Sequence, residues 1–111
     1  MIIHKSLANG RWFEKSLVEQ LANVGCDFDR AIRWRNKGDL DTSQKALDRA
    51  LELLQFTISD PKNKKRLREL TRIKECFLDY FLGDNQYSFT DESWHTYFFN
   101  FNYMYALQKG K

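Results

Sequence analysis

RAIRWRNKGDLDTSQKALDRALELLQFTISDPKN, residues 30–63, decides the fold. Gly38 stands where a helix ending in Arg33, Arg35 and Lys37 needs a residue that tolerates left-handed backbone. Asp39 or Asp41 then offers a side-chain oxygen to cap the next helix. Leu40, Leu47, Ala50, Leu51, Leu54 and Ile58 recur at helical spacing, with Ala46 and Leu53 widening the stripe. Asp60-Pro61 repeats the device, a capping side chain followed by proline at the first helical position, where a missing N–H costs nothing. Helices joined by links this short pack as antiparallel neighbours.

Upstream, Phe13, Leu17, Leu21, Val24, Phe28 and Ile32 share an arc of about 100° on a helical wheel. This predicts a first helix over about 10–37, capped by Asn9, after an N-terminal arm of residues 1–8. At 1.5 Å per residue it would be roughly 42 Å long and overhang its neighbours, unless Gly25 breaks it or lets another element approach closely. The second helix spans 40–59. The third spans 61–82, burying Leu67, Leu70, Ile73, Phe77 and Phe81 before Gly83. Thr90 caps a fourth over 91–108, with Asp91 and Glu92 in its first turn. The 111 residues thus form one domain, 1–111, an all-α antiparallel up-down four-helix bundle with a long first helix.

The fourth helix is unusual. Residues 93–108, SWHTYFFNFNYMYALQ, hold no carboxylate, lysine or arginine, and seven of the sixteen are Trp, Phe or Tyr. Trp94, Phe98, Phe101 and Tyr105 make a core stripe, flanked by Tyr97 and Met104. Phe99, Tyr103 and Leu107 make a second stripe, roughly 140–220° away. A peripheral helix in a monomer buries one face, so the second stripe calls for a cover. The long first helix or residues Met1 to Leu7 could supply it within the chain, and so could a second copy. Trp12 and Trp34, off the core arc of the first helix, would add area to a symmetric homodimer or higher homo-oligomer seam with Phe99, Tyr103 and Leu107.

Charge adds a second theme. The net charge of +3 is modest, but Lys62, Lys64, Lys65, Arg66, Arg68, Arg72 and Lys74 crowd residues 61–74. Cations at a helix N-terminus oppose the macrodipole, so folding does not ask for them. Lys62, Lys64, Lys65, Arg66 and Arg68 form a candidate anion or RNA site. The alternative is a solvated face paired with acids such as Asp48 and Glu52. Arg30, Arg33, Arg35 and Lys37 sit at a helix C-terminus, where the dipole favours them.

No reaction emerges. Glu92-Ser-Trp-His95 has the Glu-x-x-His spacing of di-iron bundles, but the only other histidine is His4 and both side chains fall away from the core stripe. Glu75 and Asp79 read as a solvated acidic face. Phosphate-loop, nucleophile-elbow and zinc-protease motifs are absent, and no cofactor is implied. Cys26 and Cys76 lack disulfide or zinc spacing and read as free thiols of a cytoplasmic protein. No apolar run reaches the roughly 18 residues of a membrane span, and no secretory signal is visible.

Residues 30–60 resemble the helix–Gly–helix hairpin of small prokaryotic HEPN-type bundles, through Ala31, Gly38 and the face Ala46, Leu47, Ala50, Leu51 and Leu54. The stretches SLANGRWFEKSLVEQLANVG, SDPKN and DYFLGDN are similar to those of other small prokaryotic proteins. The resemblance implies a dimerising bundle that commonly sits beside a nucleotidyltransferase partner. Active members cut RNA with an Arg-x4–6-His motif; neither His4 nor His95 has such an arginine upstream, so RNase activity should be missing. The expectation is a non-enzymatic, self-associating interaction module. The alternative is an RNA- or nucleotide-binding bundle, a degenerate relative of those RNases.

Overall fold

The computed structural model describes the backbone of residues 11–109 and the side chains of residues 11–100 and Tyr103. Its helices are α1 (Leu17–Asn36), α2 (Leu40–Ser59), α3 (Leu67–Leu82) and α4 (Asp91–Lys109), with 3-10 turns at Trp12–Glu14 and Pro61–Arg66. The helices pack antiparallel: α1 lies against α2 and α4, and α2 against α3. Among the described residues no comparably close backbone approach joins α3 to α4.

The punctuation works as physics requires. Gly38 takes φ +87, and Asp39 N–H reaches the Trp34 carbonyl at 3.0 Å while Gly38 N–H reaches that of Arg35 at 3.0 Å. Those are the two bonds of a left-handed helix terminus. The Asp39 carboxylate accepts from Thr42 N–H at 3.0 Å. Thr90 and Ser93 cap each other reciprocally, at 3.0 and 2.8 Å. Ser43 Oγ donates to the Ala31 carbonyl at 2.6 Å, tying α2 back onto α1 beside the turn.

The first helix departs from expectation. It has 20 residues, not 28, because Ser16 caps it by accepting Glu19 N–H at 3.2 Å. Lys15 and Ser16 are extended, which resets the phase of everything before them. Phe13, expected in the core, is exposed, while Trp12 is 1% exposed. Leu40 and Leu67, each the first residue of its helix, are exposed too. The proposed Asn9 cap and the 1–8 arm lie outside the described residues.

Trp12 is held by a buried polar network. Its Nε1 donates to Thr57 Oγ1 at 3.1 Å, and its carbonyl accepts from Gln20 Nε2 at 3.1 Å. Gln20, wholly buried, also donates to Asp60 at 2.9 Å and accepts from Asn63 Nδ2 at 2.8 Å. Lys62 Nζ bonds the Asp60 carboxylate and the Phe13 carbonyl. At the opposite end, Asp91 receives Arg35 at 2.7 Å, Asn36 at 3.0 Å and the Tyr80 hydroxyl. The α1, α3 and α4 ends are joined there.

Between these ends the core is aromatic. Phe28 and Phe77 stack with centroids 3.7 Å apart, and Trp94 meets both rings edge-on at 4.8 and 5.0 Å. A Cβ on Gly25 would lie 2.6–2.7 Å from Phe98 atoms, so α4 presses on α1 at a point where only glycine fits. Gly25→Ala gains roughly 1 kcal/mol of helix propensity. It should nonetheless destabilise by about 1–3 kcal/mol net, because the added methyl overpacks the core. A urea midpoint equal to or above wild type would contradict this.

Burial alone would raise the Asp60 pKa, but bonds from Lys62 and Gln20 outweigh it and hold the carboxyl below its usual range. A lowered folded pKa gives stability that is complete above the unfolded value near 4 and lost as pH falls through the folded value. Asp91, burial again opposed by Tyr80, Asn36 and Arg35, acts in the same direction. The melting temperature should fall from about pH 4 toward pH 2. Asp60→Asn should melt lower at pH 7 and depend less steeply on pH across that window.

Candidate functional site

The structure divides the basic run of residues 61–74. Lys62 is engaged by Asp60 and Phe13 and does not stand at a free site. The turn's N-terminus is also occupied: Asp60 takes Lys62 N–H through its carboxylate at 3.1 Å and Asn63 N–H through its carbonyl at 3.0 Å. The expected phosphate cradle at that terminus is therefore replaced by the protein's own carboxylate. Lys65, Arg66 and Arg68 instead line an open groove of about 740 Å³ between α3 and α4, with Arg72 added. Lys64 is exposed and does not line that groove. Lys74 Nζ donates to Gln55 Oε1 at 3.0 Å.

The groove's other wall is aromatic: Tyr87, Phe89, Tyr97 and the base of Trp94. The segment between α3 and α4 is built to present two of these rings. Asp79, expected to be a solvated acid, accepts Gln86 and Tyr87 N–H on its carboxylate at 2.9 and 3.2 Å. Asn85, at φ 52, exchanges bonds with Phe89 at 2.8 and 3.0 Å, and Ser88 sits at φ 58. Non-glycine residues hold such backbone only when their surroundings impose it. Arg72 then lies over the Tyr87 ring, 5.3 Å from its centroid, and Phe89 stacks on Trp94 at 4.4 Å.

Two further features mark the groove. Trp94 is 2% exposed, yet among the described residues its Nε1–H has no acceptor. A buried orphan donor costs about 1–3 kcal/mol. Burial, with smaller contributions from Glu69 and Cys76, pushes the Tyr97 phenol up to about 12, so it stays protonated. One carboxylate, Glu69, shares the groove and pairs with Arg66 at 3.2 Å.

Of the residues proposed for the oligomer seam, Phe99, Tyr103 and Trp34 lie at exposed surface. Phe99 is 55% and Tyr103 58% exposed. Their rings stack at 6.5 Å, and His95 extends the row at 6.4 Å from Phe99. Trp34 is exposed, with Lys37 Nζ 5.0 Å over its ring. Trp12 is a correction: it belongs to the core and can contribute nothing to a seam. Leu107 lies outside the described side chains. Arg35, expected as a dipole-favoured surface cation, is instead the structural partner of Asp91, Tyr80 and Phe81.

A third place was invisible in the sequence. The α1–α4 seam brings Cys26, Asp29 and His95 around a pocket of about 70 Å³. His95 Nδ1 lies 3.7 Å from Asp29. The trio suggests a thiol–imidazole–carboxylate relay, but burial and then Asp27 raise the Cys26 pKa, against smaller lowering from Arg30. A nucleophilic cysteine needs the opposite. Among the described residues no three His, Cys, Asp or Glu side chains are placed to hold a metal ion, and no helix is long and apolar enough to cross a membrane.

Comparison with protein-family models, curated proteins and solved structures finds no match for this chain.

The thiols yield a direct check. Cys26 is exposed and Cys76 buried, both with raised pKa values, burial being the main cause. Iodoacetamide at pH 7 should label Cys26 more slowly than a free cysteine and spare Cys76 in the folded state. The Cys26 rate should climb steeply beyond pH 9. Rapid labelling at pH 7 would reveal an activated thiolate and reopen catalysis.

Proposed function

We propose that this chain is a non-enzymatic, self-associating helical module whose subunits meet along the outward face of α4. The observation that carries the reading is the solvent-facing row of rings His95, Phe99 and Tyr103, the last two stacked, on a helix with no Asp, Glu, Lys or Arg between 93 and 108. In a twofold contact each residue faces its own copy or a near neighbour. A charged face then meets like charge, whereas this one meets none. Thr96 and Asn100, both exposed, supply hydrogen-bonding groups beside the rings.

Magnitudes set the strength. Fully burying an aromatic side chain yields roughly 1.5–3 kcal/mol, and these rings are already about half covered. Four rings across a twofold contribute about 3–6 kcal/mol, comparable with the lower end of association costs. Without Trp12 the dimer is weak, and Trp34 is the remaining exposed tryptophan that could extend it. A dimerising bundle is also what the HEPN-type resemblance implies, with a nucleotidyltransferase as the kind of partner it would serve.

Sedimentation equilibrium from about 1 to 500 µM tests the reading, the range being set by that weak energy. Wild type should shift from monomer toward dimer. Phe99→Asp and Tyr103→Asp should stay monomeric with unchanged helical circular dichroism, since neither ring is in the core. A wild-type monomer across the whole range, or unfolding of both variants, would defeat the proposal.

A further inference from the structure

We propose that the α3–α4 groove binds a short segment of single-stranded nucleic acid, with phosphates along Lys65, Arg66, Arg68 and Arg72 and an unstacked base against Tyr87. Cations line one side of a groove of about 740 Å³ and aromatic rings line the other. That is the arrangement a chain of alternating phosphates and flat bases can satisfy on both sides at once. A duplex keeps its base faces stacked and offers nothing to Tyr87. An acidic peptide would meet the cations but leave the rings unused. An apolar helix would desolvate four cations against one carboxylate, Glu69.

The Trp94 indole supplies an independent pointer. It lines both the groove and the small α1–α4 pocket, it is buried, and among the described residues its N–H has no acceptor. The loop strain at Asn85 and Ser88 also becomes intelligible, because that backbone carries Tyr87 to the rim. The site shares no residue with the seam on α4: Tyr97 faces the groove, while Phe99 lies roughly 160° around the helix.

The experiment is fluorescence anisotropy with labelled 12-nucleotide single-stranded RNA and DNA. Duplex DNA of the same length and poly-glutamate serve as competitors, from 50 to 300 mM salt. Wild type should bind one or both single strands, with a log–log salt slope near −3 for four phosphate contacts. Lys65→Gln/Arg68→Gln/Arg72→Gln should weaken binding at least tenfold and flatten the slope to about −1. Tyr87→Ala should weaken it about fivefold or more with little change of slope. In 1H–15N spectra the Trp94 indole resonance should move on titration, while that of Trp12, bonded to Thr57, stays still. No binding at 50 mM salt, retention of wild-type affinity by either folded variant, equal competition by duplex or poly-glutamate, or a stationary Trp94 resonance would overturn the assignment.

Discussion

One buried amide organises the molecule. Gln20 is fully removed from water on a helix whose neighbours are Leu21 and Val24, and an unpaired amide there would cost several times a typical hydrogen bond. Its partners come from three separate places: the carbonyl of Trp12, the carboxylate of Asp60 and the amide of Asn63. To supply them, the chain must turn back before α1 and must stop α2 at Ser59. Both happen. Trp12 folds under on a 3-10 turn, and Asp60-Pro61 begins another where α2 ends. The network also closes on itself, since Thr57 receives Trp12 Nε1 and its carbonyl receives Asn63. A set of groups satisfied this completely specifies one arrangement, because any register shift strands several of them together.

The second constraint follows from where glycine falls. At Gly25 the backbone of α1 admits the Phe98 ring, so α4 sits close on α1. The rings of Phe28, Phe77 and Trp94 fill the space behind it. Closeness on one side leaves width on the other. The α3–α4 side stays open because α4 is committed to α1, and the loop of residues 83–90 bridges the gap carrying Tyr87 and Phe89. The groove is thus a by-product of core packing before it is anything else. Its basic rim is not, for nothing in the core requires Lys65, Arg68 or Arg72.

What the sequence disclosed follows the range of the interactions. Gly38, Asp39, Asp60-Pro61 and Thr90 act within a few residues of themselves, and each was readable as punctuation. The stripes of α1 and α2 were readable for the same reason, being periodic. A helical wheel continued through Lys15 and Ser16 misplaces Trp12, because extended backbone there restarts the count. The signal was present: Ser16 with Glu19 three residues later is a capping pair, and it marks a beginning that Asn9 obscured. The groove could not be read, since its cations belong to the 3-10 turn and α3 and its rings to the loop and α4. Nor could the meeting of Cys26 and Asp29 with His95, nearly seventy residues on.

The aromatic run of α4 becomes intelligible once its faces are separated. Trp94 and Phe98 belong to the core, Tyr97 to the groove, and Phe99 and Tyr103 to open solvent. A helix that meets three environments cannot show a single apolar stripe, so its residues look uniformly aromatic in sequence. Charge is excluded from 93–108 for a different reason on each side: burial in the core, and stacking rows of rings on the outward face. The groove's cations sit on the 3-10 turn and α3, with Arg72 over the Tyr87 ring. Placing an uncharged face away from a charged one lets a molecule of net charge +3 approach its own copy without bringing its basic groove to the contact. The proposed self-association along α4 and the proposed ligand capture between α3 and α4 would therefore be compatible uses of one helix, kept apart by its own circumference.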